Sequence, residues 1–224
     1  MKTHTKKLNL NIYTQIRHQI ISGAISPSSK LSENLLSKNL GVSRTPDREA
    51  LLKLENEGFL IYNLRRGFSL NTITIEDIKK LYPIKISLEG LAGRLATPIV
   101  SNNENDLEYL KKLLKEMGLI MKENDINAYV AKNYEFHSYF WHSCQNEWLI
   151  RMLERLNMQV DRFIVKALYV PKRMEKSFHE HLEIYRQIET GDEKAVEKAI
   201  AIHFENASED LKKVIIKDLP PRLG

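Results

Sequence analysis

The apolar positions of this chain change their rhythm twice. Ile12, Ile16 and Ile20 recur every four residues and predict a helix that Gly23 and Pro27 stop. Ser32-Glu33-Asn34 opens a second short helix, with Leu35, Leu36 and Leu40 apolar and Gly41 at its end. Ser43 is placed to cap a third, which tolerates Pro46 in its first turn and turns Ala50, Leu51 and Leu54 inward before Gly58. FLIYNL and FSLNTI then read as two short strands around the basic turn Arg65-Arg66-Gly67. Three helices followed by a hairpin describe a winged helix-turn-helix over residues 1–74.

Beyond Thr74 only helical periods remain. Six helices are expected, roughly over 76–98, 104–124, 125–143, 146–170, 172–190 and 192–216. Pro83 falls inside the first and is expected to kink it or delay its regular start. The fold class is therefore mostly α: a winged helix-turn-helix, an all-helical ligand-binding bundle over 75–217, and a loose tail at 218–224.

Composition narrows the setting. Cys144 is the single cysteine, so no internal disulfide and no paired-cysteine metal site can form. No apolar run approaches the ~20 residues that span a bilayer, and MKTHTKKLNLN lacks the apolar core of a signal peptide, so a cytoplasmic protein is expected. Charge is unevenly spread. Residues 1–72 hold 11 Lys and Arg against five Asp and Glu, which exceeds the net +5 of the whole chain. A basic module joined to a near-neutral one points to a polyanion-binding part carrying a separate sensing part.

That placement gives the third helix its chemistry. Arg44 and Arg48 are four apart, share a face, and stand at a helix start, where the macrodipole favours anions. Double-stranded DNA supplies those anions. Arginine donates in a fork to guanine, Ser43 and Thr45 suit phosphate oxygens, and Arg65, Arg66 and Gly67 suit an adjacent minor groove. The run from Ile16 to Leu70, with GVSRTPDREALLKLENEGFL at its centre, resembles the winged-helix domain of GntR-type bacterial transcriptional regulators. The resemblance implies that Arg44, Thr45 and Arg48 contact operator DNA, with Gly67 in the wing. Pro27-Ser28 stands where the family has Pro-Gly, Asn34 where some members place an arginine, and Asp47 where valine is usual.

The helical part offers a second constellation. His181 lies ten residues before Gly191 and His203 twelve after it. In a helix hairpin turning at Gly191, both stand ~15–18 Å from the turn at about 1.5 Å rise per residue, so the imidazoles can converge. Asn133 and His137 are four apart on one face. Three histidines and one oxygen suit zinc, nickel or another borderline divalent ion. His4, His18, His142 and His179 read as packed or surface residues.

Residues 76–215 are similar to the all-helical ligand-binding domain (FCD) of one GntR branch, in its shorter, VanR-like six-helix version. The carriers are NYEFH ending at His137, the Glu180-His181 pair, and His203 placed 22 residues later. The resemblance implies a metal held by Asn133, His137, His181 and His203, with Asn133 replacing the usual aspartate. It also implies a small carboxylate effector near Lys85, which replaces the usual arginine and loses its bidentate fork. Tyr134, Trp141, Arg162 and Tyr169 are pocket neighbours by spacing, of which Tyr134 and Arg162 are carried forward as effector-binding.

The expected function is a regulator, of the repressor kind usual in this family, acting as a homodimer on a pseudo-palindromic operator and controlled by an organic acid. Three other readings stay open: a direct divalent-metal sensor, a purely structural metal, and a metal-dependent hydrolase using Glu135 or Glu180 as base. The last leaves the basic module without a purpose, so the chain is not expected to be an enzyme.

Overall fold

The computed structural model describes residues 12–17, 19–20, 25, 44–56, 59–64, 67–71, 74–168 and 170–218, and divides the chain into a unit ending at Ile73 and one starting at Thr74. In the first unit, residues 12–17 and 19–20 are helical, followed by α1 (Arg44–Asn56) and an antiparallel hairpin of β1 (Leu60–Asn63) and β2 (Gly67–Leu70). Ile12 and Ile16 pack with Ala50, Leu51 and Leu54 of α1 and with Phe59, Leu60 and Phe68, as their spacing requires. The hairpin register pairs Leu60 with Leu70 and Asn63 with Gly67. Gly67 has φ +74°, a left-handed conformation that an L side chain strains to adopt, so the turn needs glycine there. The second predicted helix, from Ser32 to Leu40, lies outside the described residues, as do Ser43 and Gly58.

The second unit is six helices: α2 (Ile75–Val100), α3 (Glu104–Glu123), α4 (Ile126–Ser143), α5 (Glu147–Leu168), α6 (Arg173–Thr190) and α7 (Glu193–Asp218). Short polar side chains set their starts. Thr74 and Asp77 form a reciprocal capping box, with Thr74 Oγ1 accepting from the Asp77 amide at 3.1 Å and the Thr74 amide donating back at 2.9 Å. Asn103, Asp125, Asn146 and Asp192 accept first-turn amides of α3, α4, α5 and α7. Pro83 does not delay α2, which begins eight residues earlier and runs unbroken through Pro83 and Pro98. The cap fixes the start, and Pro83 withdraws only its own N–H from an established helix.

One apolar core joins all six helices, with Ala92 and Ala96 of α2, Met117 of α3, Phe136 of α4, Leu153 of α5, Ile184 of α6 and Ile200 of α7 among its buried members. The long helices α2 and α7 meet at small residues. A Cβ on Gly93 would run into the Ile200 side chain and stand 3.3 Å from Val196. This close approach brings α7, and the histidine it carries, against the centre of the bundle. Gly93→Val should therefore lower stability by about 1–3 kcal/mol through overpacking. Thermal denaturation checks this, and an unchanged midpoint would contradict the packing described.

Candidate functional site

Three helices each bring one histidine to the same point. His137 on α4, His181 on α6 and His203 on α7 are all buried, and their candidate ligand nitrogens lie within 4.8 Å of one another. His137 Nε2 is 3.1 Å from His181 Nε2 and 3.2 Å from His203 Nε2. The α6–α7 hairpin does turn at Gly191, at φ +72°, and it sets the His181 and His203 rings 4.6 Å apart. Phe136 meets His181 edge-on at 4.7 Å, and Phe204 lies 4.8 Å from both His137 and His203. The surroundings are buried and largely aromatic.

Burial lowers the pKa of all three imidazoles, His137 and His181 well below the ordinary histidine value, so they are neutral. Mutual proximity of the rings lowers His137 and His181 further. For His203 the Glu180 contact pulls the other way, without reversing the direction. Burial also pushes the Glu180 carboxyl up, but its hydrogen bond with His203 and the bond and charge of Arg173 outweigh that and hold it below its ordinary value.

These states fix the protons. An ionised carboxylate only accepts, so His203 Nδ1–H donates to Glu180 Oε2 at 2.8 Å and leaves Nε2 as a bare acceptor. His181 Nδ1 faces the Tyr129 hydroxyl at 3.4 Å. A neutral imidazole has one N–H, and that of His203 is spent on Glu180, so its Nε2 meets His137 as an acceptor. Three converging imidazole nitrogens in a buried surround fit a borderline divalent cation. Asn133 is buried one turn before His137 on the same face of α4.

Two closed polar networks flank the trio. In the first, Arg173 is buried at the start of α6 and donates to Glu180 Oε2 at 2.9 Å while pairing with Asp210 Oδ2 at 3.4 Å. Asn206 donates to Glu180 Oε1 at 2.8 Å. In the second, Lys85 is only 1% exposed. Its ammonium donates to Glu89 Oε1 at 2.7 Å and to Asn157 Oδ1, and sits 4.4 Å above the Phe204 ring. Trp141 Nε1–H donates to Glu89 Oε2 at 2.7 Å, and Asn157 Nδ2 donates to Glu89 Oε1 at 3.2 Å.

Lys85 is thus a core residue whose three donors already have partners, which sequence could not show. Tyr134 is 46% exposed, with its ring edge-on to Trp141 at 5.5 Å. Arg162 lies on α5, its side chain outside the described part, and Tyr169 is outside the described residues. Glu135 is bound to Tyr109 and Lys132 at the surface, and Glu180 is held by three partners, so neither acid weighed as a hydrolytic base is free for that task. Arg173, Glu89 and Asn157 were missed from sequence; the Lys85–Glu89 spacing of four was the one available signal.

In the first unit α1 begins at Arg44, which places Arg44, Thr45 and Arg48 in its first two turns, with Arg48 exposed. Gly67 opens β2, while Ser43, Arg65 and Arg66 lie outside the described residues.

Comparison with known proteins bears on both units. Residues 8–70 match the family of bacterial regulatory proteins, gntR family, and residues 80–206 match the FCD domain. The chain is 30% identical over 207 residues to the uncharacterized HTH-type transcriptional regulator YdhC of Bacillus subtilis (strain 168), covering 92% of each. It is 26% identical over 212 residues to the HTH-type transcriptional repressor RspR of Escherichia coli (strain K12), covering 94% of this chain and 91% of that one. The solved structure of E. coli McbR/YncC shares the fold, with TM-score 0.72 at 22% identity over 92% of this chain and 97% of that one. Among the described residues, no helix is long and apolar enough to cross a membrane.

The second network makes a direct prediction. Lys85→Met leaves Glu89 buried without its cation and should cost about 3–5 kcal/mol, whereas Lys85→Met with Glu89→Leu should recover most of it. Chemical denaturation of the single and double variants checks this; equal losses would contradict the pairing.

Proposed function

Since the chain belongs to the gntR family of bacterial regulatory proteins and carries an FCD domain, we propose that its histidine site sets how tightly its first unit holds operator DNA. It is a DNA-binding transcriptional regulator. In the proposed form it is a homodimeric repressor, as relatives named repressors support, with α1 in the major groove of each half-site. Arg44, Thr45 and Arg48 contact bases and phosphates with Ser43, and Arg65, Arg66 and Gly67 reach the minor groove.

The observation that carries the regulatory half is the convergence of three neutral imidazoles. His137, His181 and His203, with Asn133, would hold a divalent ion such as zinc or nickel. When bound, that ion supplies a Lewis-acidic position for the carboxylate of a small organic acid. Lys85 contributes its field from behind the site, since its donors are taken by Glu89, Asn157 and the Phe204 ring. Tyr134 and Arg162 complete the proposed effector site. For the effector to switch the regulator, it must bind the arrangements of the DNA-binding units with different affinity.

The saturation of Lys85 also favours a second reading, in which the ion itself is the signal. The same titration separates the two. Operator affinity is measured with zinc or nickel alone, and again with candidate organic acids added. The effector reading expects a shift only in the second arm; a shift with metal alone supports direct sensing. No shift in either removes the regulatory claim. On the DNA side, Arg44→Ala and Arg48→Ala should each weaken operator binding by about 1–3 kcal/mol, roughly ten- to a hundredfold. Mobility-shift titration of the chain's own upstream region checks this, and unchanged affinity in both variants would contradict the interface.

A further inference from the structure

Glu180 and His181 are neighbours in sequence, yet they serve different helices. His181 turns its Nε2 to His137, while the Glu180 carboxylate crosses to α7 and takes the Nδ1–H of His203. Its two other tethers are specific, and one of them is itself anchored. Oε2 also accepts from Arg173 at 2.9 Å, Oε1 accepts from Asn206 at 2.8 Å, and Arg173 is itself anchored by Asp210 at 3.4 Å. Arg173 and Asp210 are both buried. A half-buried carboxylate with both oxygens engaged in this way is held away from the trio and does not serve as a fourth ligand. It can only hold the ring it touches.

From this arrangement we infer that Glu180 is a positioning residue of the histidine site. Clamped by Arg173 and Asn206, it fixes His203 as the Nδ1–H tautomer and so keeps the His203 Nε2 lone pair directed at the other two. This rests on the reading of the trio as a cation site and adds the part that prepares it. A ligating imidazole is oriented and made more basic when its far nitrogen donates to a carboxylate, and losing that partner weakens metal binding by about 10- to 100-fold. The Asn133 substitution gives the tether more weight: with a neutral oxygen in place of a carboxylate, the affinity of the site leans on how well its imidazoles are set.

The test uses the full chain and two independent readouts. Zinc affinity is measured by competition with a chromophoric chelator for the wild type, for Glu180→Gln, and for Leu110→Ala. The last is a buried truncation on α3, a helix that carries none of these groups, and controls for lost stability. Glu180→Gln is expected to bind zinc about 10- to 100-fold more weakly, with Leu110→Ala close to the wild type. Nitrogen-15 spectra of the histidine rings in the metal-free wild type are expected to show His203 protonated on Nδ1. Wild-type zinc affinity in Glu180→Gln, or His203 protonated on Nε2 in the wild type, overturns the inference. So does an equal loss in Leu110→Ala. If the wild type binds no zinc, the cation reading fails, and the ring spectra still decide what Glu180 does. They also decide it should Glu180→Gln fail to fold.

Discussion

Three imidazole lone pairs aimed at one point in a buried, largely aromatic surround are the constraint around which the second unit is built. Two nitrogen–nitrogen contacts of 3.1 and 3.2 Å bring the three rings to that point. Apolar packing alone would not choose that arrangement, because burying unpaired acceptors is unfavourable. The bundle instead orders its helices so that α4, α6 and α7 each deliver one ring. The α6–α7 turn at Gly191 sets two of them level, and the contact of α2 with α7 at Gly93 holds the third wall in place.

Charge around the trio is arranged in closed sets. Arg173 answers Glu180 and Asp210, and Lys85 answers Glu89, so no buried ion is left alone. These sets also tie helices together: Glu89 of α2 holds Trp141 of α4 and Asn157 of α5, one turn along α4 from His137. Lys85 and Glu89 lie on α2, which begins at Ile75, the second residue of the second unit.

Much of this was legible in the sequence. Helical periods and the polar residues between them placed all six helices of the second unit within a few residues, since every break but the one before α6 carries a side chain that caps the next start. The similar spacing of His181 and His203 from Gly191, ten and twelve residues, was enough to bring their rings together. The surroundings of those rings were not legible. Arg173 reads as a surface charge at a helix start until α7 supplies Asp210, and Lys85 reads as a ligand for a carboxylate until Asn157, 72 residues away, takes one of its donors. Pro83 does not set where α2 begins, because a strong cap at Thr74 does. Period and capping are local properties, whereas the partners of a buried charge are set by packing.

X-ray absorption at the metal edge of the zinc-loaded full chain tests the central claim most directly. The account predicts a shell of three imidazole nitrogens at about 2.0–2.1 Å with the multiple scattering of coordinated rings. That signature should weaken by one ring when His203 is replaced by alanine. A shell of oxygens alone, or a spectrum unchanged by that replacement, would contradict it.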